Sequence, residues 1–527
     1  MSSGPELSGE ITEAQRFATA CVATPHYLAS HAGAAVLRDG GNAMDAAITA
    51  NLVLGVVAPY SCGIGGDCFA IVWDGSLHGY NGSGRAPAAA TPDAVATRLG
   101  VTSSGPAAMP GTGPLAITVP GAVDAWFALL ERFGTRSFAE LAEPAIAYAS
   151  GGFPLTAAGA TRIQAGRPGS SDWGDWQDIY GRAGPGVRLS QPGLALTLQT
   201  VAADGPDAFY RGVIAEAVAA HLQDLGGLLD ATDLAVHEGE WVEPLEGRYR
   251  DLTVAELPPN SQGSAALLAL HLLDQAGPLP AEGPERHHVL IEAVTMALAE
   301  RDAHLTDPAR MRVAPGTLAD AAHAKAIAAT GSAPVGGAAR GSGGDTAYLC
   351  AVDGAGTCVS LIQSNYGGFG SGVTVPGWGI NLHNRGAYFS LDPAHVNVIA
   401  PGKRTLHTLM PALARRNGQP WLVFGTMGAD GQLQTQVQLL ARLVDDGADP
   451  AATLAAPRWV VDPGDFSVQI ENRFPPDVVD GLRAFGHRVH VVGPFEDVLG
   501  HANLVRLDGA GLTAASDPRS EGLAAGF

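Results

Sequence analysis

The stretch 331–344, GSAPVGGAARGSGG, holds almost nothing that could fill a core, and directly beyond it the pattern turns to strands. Its small residues and glycines predict a flexible, exposed linker. Residues 346–352, a turn at Asp353-Gly354-Ala355-Gly356 and residues 357–363 then read as a β-hairpin. A mobile segment running into a strand that opens Asp345-Thr346 points to processing at that bond. A threonine hydroxyl in mid-chain is a poor nucleophile. Breaking the preceding peptide bond frees the residue's own α-amine, whose pKa near 8 suits a general base at neutral pH. Hydroxyl and base then belong to one residue. Taken alone, Gly344-Asp345-Thr346 reads as an ordinary strand-edge threonine.

Several function classes are excluded by charge. The 52 acidic residues outnumber 31 basic ones, for a net charge of −21, and no basic run offsets them. Nucleic acid and anionic membrane both require clustered Lys and Arg, so neither is an expected partner. At 527 residues the chain has material for a large core. Its five cysteines form no C-x-x-C pair, so a disulfide framework or zinc ribbon is not implied, and they read as buried thiols. Residues 1–17 carry Glu6, Glu10 and Glu13 without an unbroken apolar run, unlike a secretory signal. The most apolar run, 46–59, is too short to span a bilayer. A cytoplasmic protein is the resulting expectation.

Two consecutive helices are predicted over 29–57, the first stopped at Asp39-Gly40-Gly41 and the second capped by Asn42. Cys62-Gly63-Ile64-Gly65-Gly66-Asp67 is a glycine-rich turn into a strand at 69–73. It lacks the spacing of a phosphate loop, so a tight backbone turn is the reading. A helix is predicted over 288–303. Its neighbouring His287 and His288 point different ways and no H-E-x-x-H follows, so they read as ordinary surface or core histidines.

Residues 346–527 resemble the small subunit of the gamma-glutamyltransferase family of N-terminal-nucleophile hydrolases. Phe369-Gly370-Ser371-Gly372, Phe389-Ser390, Pro401-Gly402-Lys403-Arg404, Gly425-Thr426-Met427-Gly428, Ala456-Pro457-Arg458 and Asp517-Pro518-Arg519 carry the likeness. On the other side of the junction, Gly40-Gly41-Asn42-Ala43-Met44-Asp45-Ala46-Ala47, Gly63-Ile64-Gly65-Gly66 and Pro258-Pro259 are similar to that family's large subunit. The resemblance implies an α/β fold, a four-layer αββα sandwich, and autocatalytic cleavage between Asp345 and Thr346. It implies a large subunit 1–345 and a small subunit 346–527 that stay together as one folded unit. By position, Ser364 matches a family threonine that hydrogen-bonds the nucleophile. Gly428 and Ala429 match a Gly-Gly pair whose backbone N–H groups form the oxyanion hole; such donors need no particular side chain. The acyl group passes to Thr346 and then to water or an amine.

The substrate positions depart from the family pattern. Ser83 stands where the family has an arginine for the substrate carboxylate, with Arg85 two residues on. Tyr388 replaces the acid for the substrate amine, Tyr366 replaces an asparagine, and His407-Thr408 replace a pair of serines. Arg385 and His407 are the candidates for remaking the pocket. An arginine with no acid beside it suits a substrate with a carboxylate and no amine, and the closest resemblance is to a branch with oxamate amidohydrolase and glutathione-hydrolase-like proteins. The expected partner is therefore a small-molecule amide, besides the two fragments of the precursor; homo-oligomerisation stays open. A γ-glutamyl compound and another acyl amide, such as a β-lactam side chain, remain alternative substrates, and a non-catalytic small-acid binding protein an alternative function. No metal or organic cofactor is expected, since the proposed chemistry needs none.

Overall fold

The structure is a computed structural model that describes residues 13–101, 108–330, 345–509 and 511–527; the expected linker 331–344 lies outside these. The two early helices are Tyr27–Arg38 and Ala43–Val57. The first stops at Asp39, followed by Gly40 at φ 87°, a left-handed value that glycine adopts without steric penalty. Asn42 accepts the Asp45 N–H and donates its own N–H to the Asp45 carboxylate, a reciprocal capping box. Every residue of the second helix except Gly55 is buried, and apart from Asp45, Thr49 and Asn51 it is apolar all round.

Two seven-stranded sheets dominate the molecule. One runs, in spatial order, Leu523–Gly526, Cys21–Thr24, Asp345–Val352, Cys358–Tyr366, Asp67–Trp73, Leu77–Gly82 and Glu240–Val242. The other runs Gln15–Phe17, Gly511–Ser516, Ala502–Asp508, Gln419–Thr426, Ala412–Arg416, Leu252–Glu256 and Leu245–Tyr249. Each interleaves strands from before and after Asp345, through antiparallel pairings such as Cys350 with Ala23.

Side-chain alternation builds the layers. Along the strand after Asp345, Tyr348, Cys350 and Val352 enter a core shared with Leu413, Val423 and Val505 of the facing sheet. Ala347, Leu349 and Ala351 point the other way, into a core with Ile48, Leu52 and other residues of the Ala43–Val57 helix. On the far side, Val254, Ala412, Leu422 and Phe424 pack against Leu267, Leu298 and Val437 from three further helices. Helix, sheet, sheet, helix is the four-layer αββα sandwich. All five cysteines are buried and free. Among the described residues, no helix is long and apolar enough to cross a membrane.

Candidate active site

Thr346 and Ser364 sit on the paired strands of the expected hairpin, both nearly inaccessible. The register slips between Asp345 and Ala347: Ser364 and Asn365 together oppose Thr346, a β-bulge of the partner strand, a device that re-aims side chains out of the pleat. Thr346 Oγ1 lies 2.9 Å from Ser364 Oγ. Ser364 Oγ accepts the Tyr366 N–H at 2.7 Å and donates to the Asp345 carbonyl at 3.0 Å. With its single proton so committed, Ser364 can only accept from Thr346. The Thr346 hydroxyl therefore donates toward Ser364 and keeps its lone pairs for an electrophile. Burial pushes the Asp345 carboxyl up to about 6, against the opposing charge of Arg162.

The glycine-rich turn buttresses this pair. A Cβ on Gly66 would lie 2.5 Å from the Ser364 carbonyl oxygen, and one on Gly65 would lie 2.3 Å from that of Asn381. Close backbone approach, with no phosphate cradle, explains the glycines. Asp67, next in sequence, is fully buried between His407 Nε2 at 2.9 Å and His383 Nδ1 at 3.4 Å. Burial alone would raise its pKa, yet the flanking imidazoles of His383 and His407 hold it well below the usual carboxylate range. Burial and the Arg385 charge push His407 down to about 3, so it is neutral near physiological pH. Its Nε2 donates to Asp67 and its Nδ1 accepts the Leu409 N–H, which leaves no nitrogen for a substrate. His407 is a positioning residue for the segment that carries Thr408.

Arg385 is the strongest electrostatic feature here. Only 1% exposed, it donates to Thr408 Oγ1 at 3.0 Å, and no carboxylate among the described residues lies within ion-pair distance. Its Nε has no hydrogen-bond partner. The guanidinium lies over the Tyr366 ring at 4.4 Å and the Tyr388 ring at 5.8 Å, and the two rings meet edge-on at 5.2 Å. Tyr366 holds φ at 77°, a strained value for a bulky residue that costs roughly 1–2 kcal/mol. That conformation lets one residue serve two partners, its amide on Ser364 and its ring under Arg385.

A second arginine, Arg301, is neutralised by acids. It donates to Asp430 Oδ1 at 2.6 Å and Gln262 Oε1 at 2.7 Å, and pairs with Asp302 at 2.8 Å. Tyr388 donates its hydroxyl to the same Asp430 oxygen at 2.5 Å. Gln262 spends its amide on the carbonyls of Thr408 at 2.8 Å and Ala429 at 3.0 Å. It thereby fixes the turn Gly428-Ala429, whose φ values are 130° and 48°. The left-handed φ of Ala429 gives a physical reason for glycine at that place and a tolerable one for alanine. The amides of both residues have no acceptor among the described residues, as an anion-binding pair requires.

Thus Asp345, Thr346, Ser364 and Tyr366 form one cluster, joined through Tyr366 to Arg385, Tyr388 and Thr408, and through Gln262 to Ala429. Arg85 is not part of it. Its partners are Glu240 at 2.9 Å, Asp307 at 3.5 Å and the Gly402 carbonyl, so its charge is spent on the protein. Sequence reasoning missed Gln262, Arg301, His383 and Asp430, and saw Asp67 only as the end of a turn. Asp67 had a local signal in the glycines before it; the others had none.

A sequence profile of the gamma-glutamyltranspeptidase family matches residues 29–527. The chain is 39% identical to the glutathione hydrolase-like YwrD proenzyme of Bacillus subtilis over 96% of its length and 98% of that protein's. It is 38% identical to the oxamate amidohydrolase proenzyme of Klebsiella pneumoniae, covering 95% and 97% of the two chains. Among solved structures, cephalosporin acylase from Bacillus halodurans superposes with a TM-score of 0.91 at 37% identity, over 100% of this chain and 99% of that one.

Proposed function

The chain belongs to the gamma-glutamyltranspeptidase family of amide-hydrolysing N-terminal-nucleophile enzymes, and from that premise we propose that it cuts itself before Thr346 and then hydrolyses a small carboxylated amide. In the precursor, Thr346 Oγ1 attacks the Asp345 carbonyl carbon, whose oxygen is already polarised by Ser364. The C–N bond breaks as the hydroxyl proton passes to the Thr346 nitrogen, leaving an ester; water cleaves that ester, restoring the hydroxyl, and Asp345 leaves as a new C-terminal carboxylate. The freed α-amine of Thr346 then takes the Oγ1 proton as the oxygen attacks the substrate carbonyl. The Gly428 and Ala429 amides receive the oxyanion. Collapse expels the amine with that proton, and water, or an amine in acyl transfer, releases the acyl group from Thr346.

The observation that carries the substrate class is Arg385, a buried guanidinium paired with no carboxylate among the described residues. A lone buried charge is expensive unless a ligand completes it. Tyr388 stands where the family has an acid, and Asp430 is engaged by Arg301 and Tyr388, so neither of these positions favours a substrate ammonium. A short amide bearing a carboxylate, as the name of the Klebsiella relative indicates for that enzyme, fits better than a γ-glutamyl compound. Turnover of oxamate and of a γ-glutamyl anilide by the purified enzyme tests this. Faster cleavage of the anilide contradicts the substrate assignment.

Ser364→Ala leaves the Tyr366 amide and the Asp345 carbonyl without their partner. Self-cleavage is expected to slow by about 10–100-fold, with Ser364→Thr close to wild type; gel densitometry over time measures both. Undiminished cleavage in Ser364→Ala would remove its assigned role.

Asp345 adds a pH signature to the precursor. It binds its proton more tightly folded than unfolded, so its stabilisation is full below about pH 4 and is lost as pH rises through about 6. His26 and His407, with lowered pKa values, act in the opposite direction. The comparison is therefore between the uncut Thr346→Ala protein and Thr346→Ala with Asp345→Asn. The stability advantage of the Asp345 form in urea is expected to shrink across that interval; an advantage that grows with pH refutes it.

A further inference from the structure

His288 and Glu292 lie one turn apart on the Pro284–His304 helix, so both face the same side. His487 follows the Pro476–Ala484 helix, which packs against the first. One ligand atom from each of the three lies within 4.8 Å of the others, and His288 Nδ1 is 2.8 Å from His487 Nε2. Phe485 stacks on the His288 ring at 4.5 Å with the planes 10° apart, fixing how that imidazole points. Both histidines are half-buried and Glu292 is exposed, so the remaining coordination positions open to solvent.

We propose that His288, Glu292 and His487 bind a divalent transition-metal ion of the zinc class. Two imidazoles and a carboxylate are ligands that zinc accepts, whereas magnesium and calcium favour oxygen alone. Bonds of about 2.0–2.2 Å place tetrahedral ligand atoms roughly 3.3 Å apart. The imidazole nitrogens need to separate slightly, and the exposed Glu292 needs to close in. Sequence spacing, from which His288 reads as an ordinary histidine, could not reveal His487, because that partner arrives from a distant segment. His287 does keep a structural role, bonded to Glu282 at 2.8 Å and to the Trp459 indole N–H at 3.1 Å. The site is separate from the catalytic cluster: Arg301, on the same helix, lies about 20 Å further along its axis.

His288 and Glu292 precede the Asp345–Thr346 bond and His487 follows it. An ion here ties the two products of self-cleavage together. That consequence rests on the processing proposed above; the site itself does not. The test uses chelator-stripped protein titrated with zinc against a chromophoric chelator near neutral pH. Wild type is expected to take up one more zinc ion per chain than a His288→Ala, His487→Ala double variant, and Glu292→Gln to bind more weakly. Magnesium in excess should leave the titration unchanged. Circular dichroism checks that the variants are folded, and the surface change Glu292→Gln provides a second reading. Uncut Thr346→Ala protein should bind zinc as well as wild type, even if processing has another origin. Equal uptake by wild type and the double variant, as for a plain histidine–histidine hydrogen bond, overturns the proposal.

Discussion

Thr346→Ala is expected to leave a single uncut chain and to lower amide turnover by about 10⁴-fold or more, a loss typical of removing a nucleophile that acts as a unit with its base. The substitution deletes the attacking oxygen twice over, once for self-cleavage and once for catalysis. Its structural effect should be small. The threonine lies opposite a bulge, its hydroxyl bonds only Ser364 among the described residues, and Ser364 retains the Tyr366 amide and the Asp345 carbonyl. Denaturing electrophoresis reads the first effect, a steady-state assay the second, and Tm the third. Cleavage persisting in Thr346→Ala would transfer the role to another residue.

Arg385→Met is expected to reduce kcat/KM for a carboxylated amide by roughly 10²–10³-fold, from about 2–5 kcal/mol lost with a buried charge contact. Arg385→Lys should recover little, since an ammonium cannot reproduce the planar fork or its stacking on Tyr366. Stability should go the other way. The guanidinium is buried without an acid partner among the described residues, so an apolar side chain of similar length is expected to leave Tm unchanged or raise it. Activity falling as Tm rises is the mark of a group kept for its ligand. If Tm collapses together with activity, Arg385 is part of the scaffold. A neutral amide substrate distinguishes the two further, because its turnover should be nearly insensitive to the change.

Much of the fold could be read because it repeats locally. Alternation after Asp345 separates Tyr348, Cys350 and Val352 from Ala347, Leu349 and Ala351, and those two faces become two different cores. Asn42 and Asp45 announce a helix start within four residues. Thr346 and Ser364 face each other because the hairpin that joins them is itself local. What was hidden is polar and long-range. Asp67 meets His407 across 340 residues of chain, and Gln262 meets Ala429 across 167. A buried hydrogen-bonded group has no periodicity to betray it; only its partners define it. For the same reason, motif position alone put Arg85 and His407 in the pocket, whereas Glu240, Asp307 and Asp67 already hold them. Arg385 was also picked by motif position, three residues before Tyr388, and among the described residues no carboxylate pairs with it.

The most direct test of an acyl-threonine mechanism is to incubate processed enzyme with a slowly hydrolysed carboxylated amide, quench with acid, and map the peptides by mass. The account predicts the added acyl mass on the N-terminal peptide of the smaller fragment, at Thr346, disappearing when hydrolysis is allowed to finish. Turnover with no acyl mass on Thr346, or with it on another residue, would contradict it.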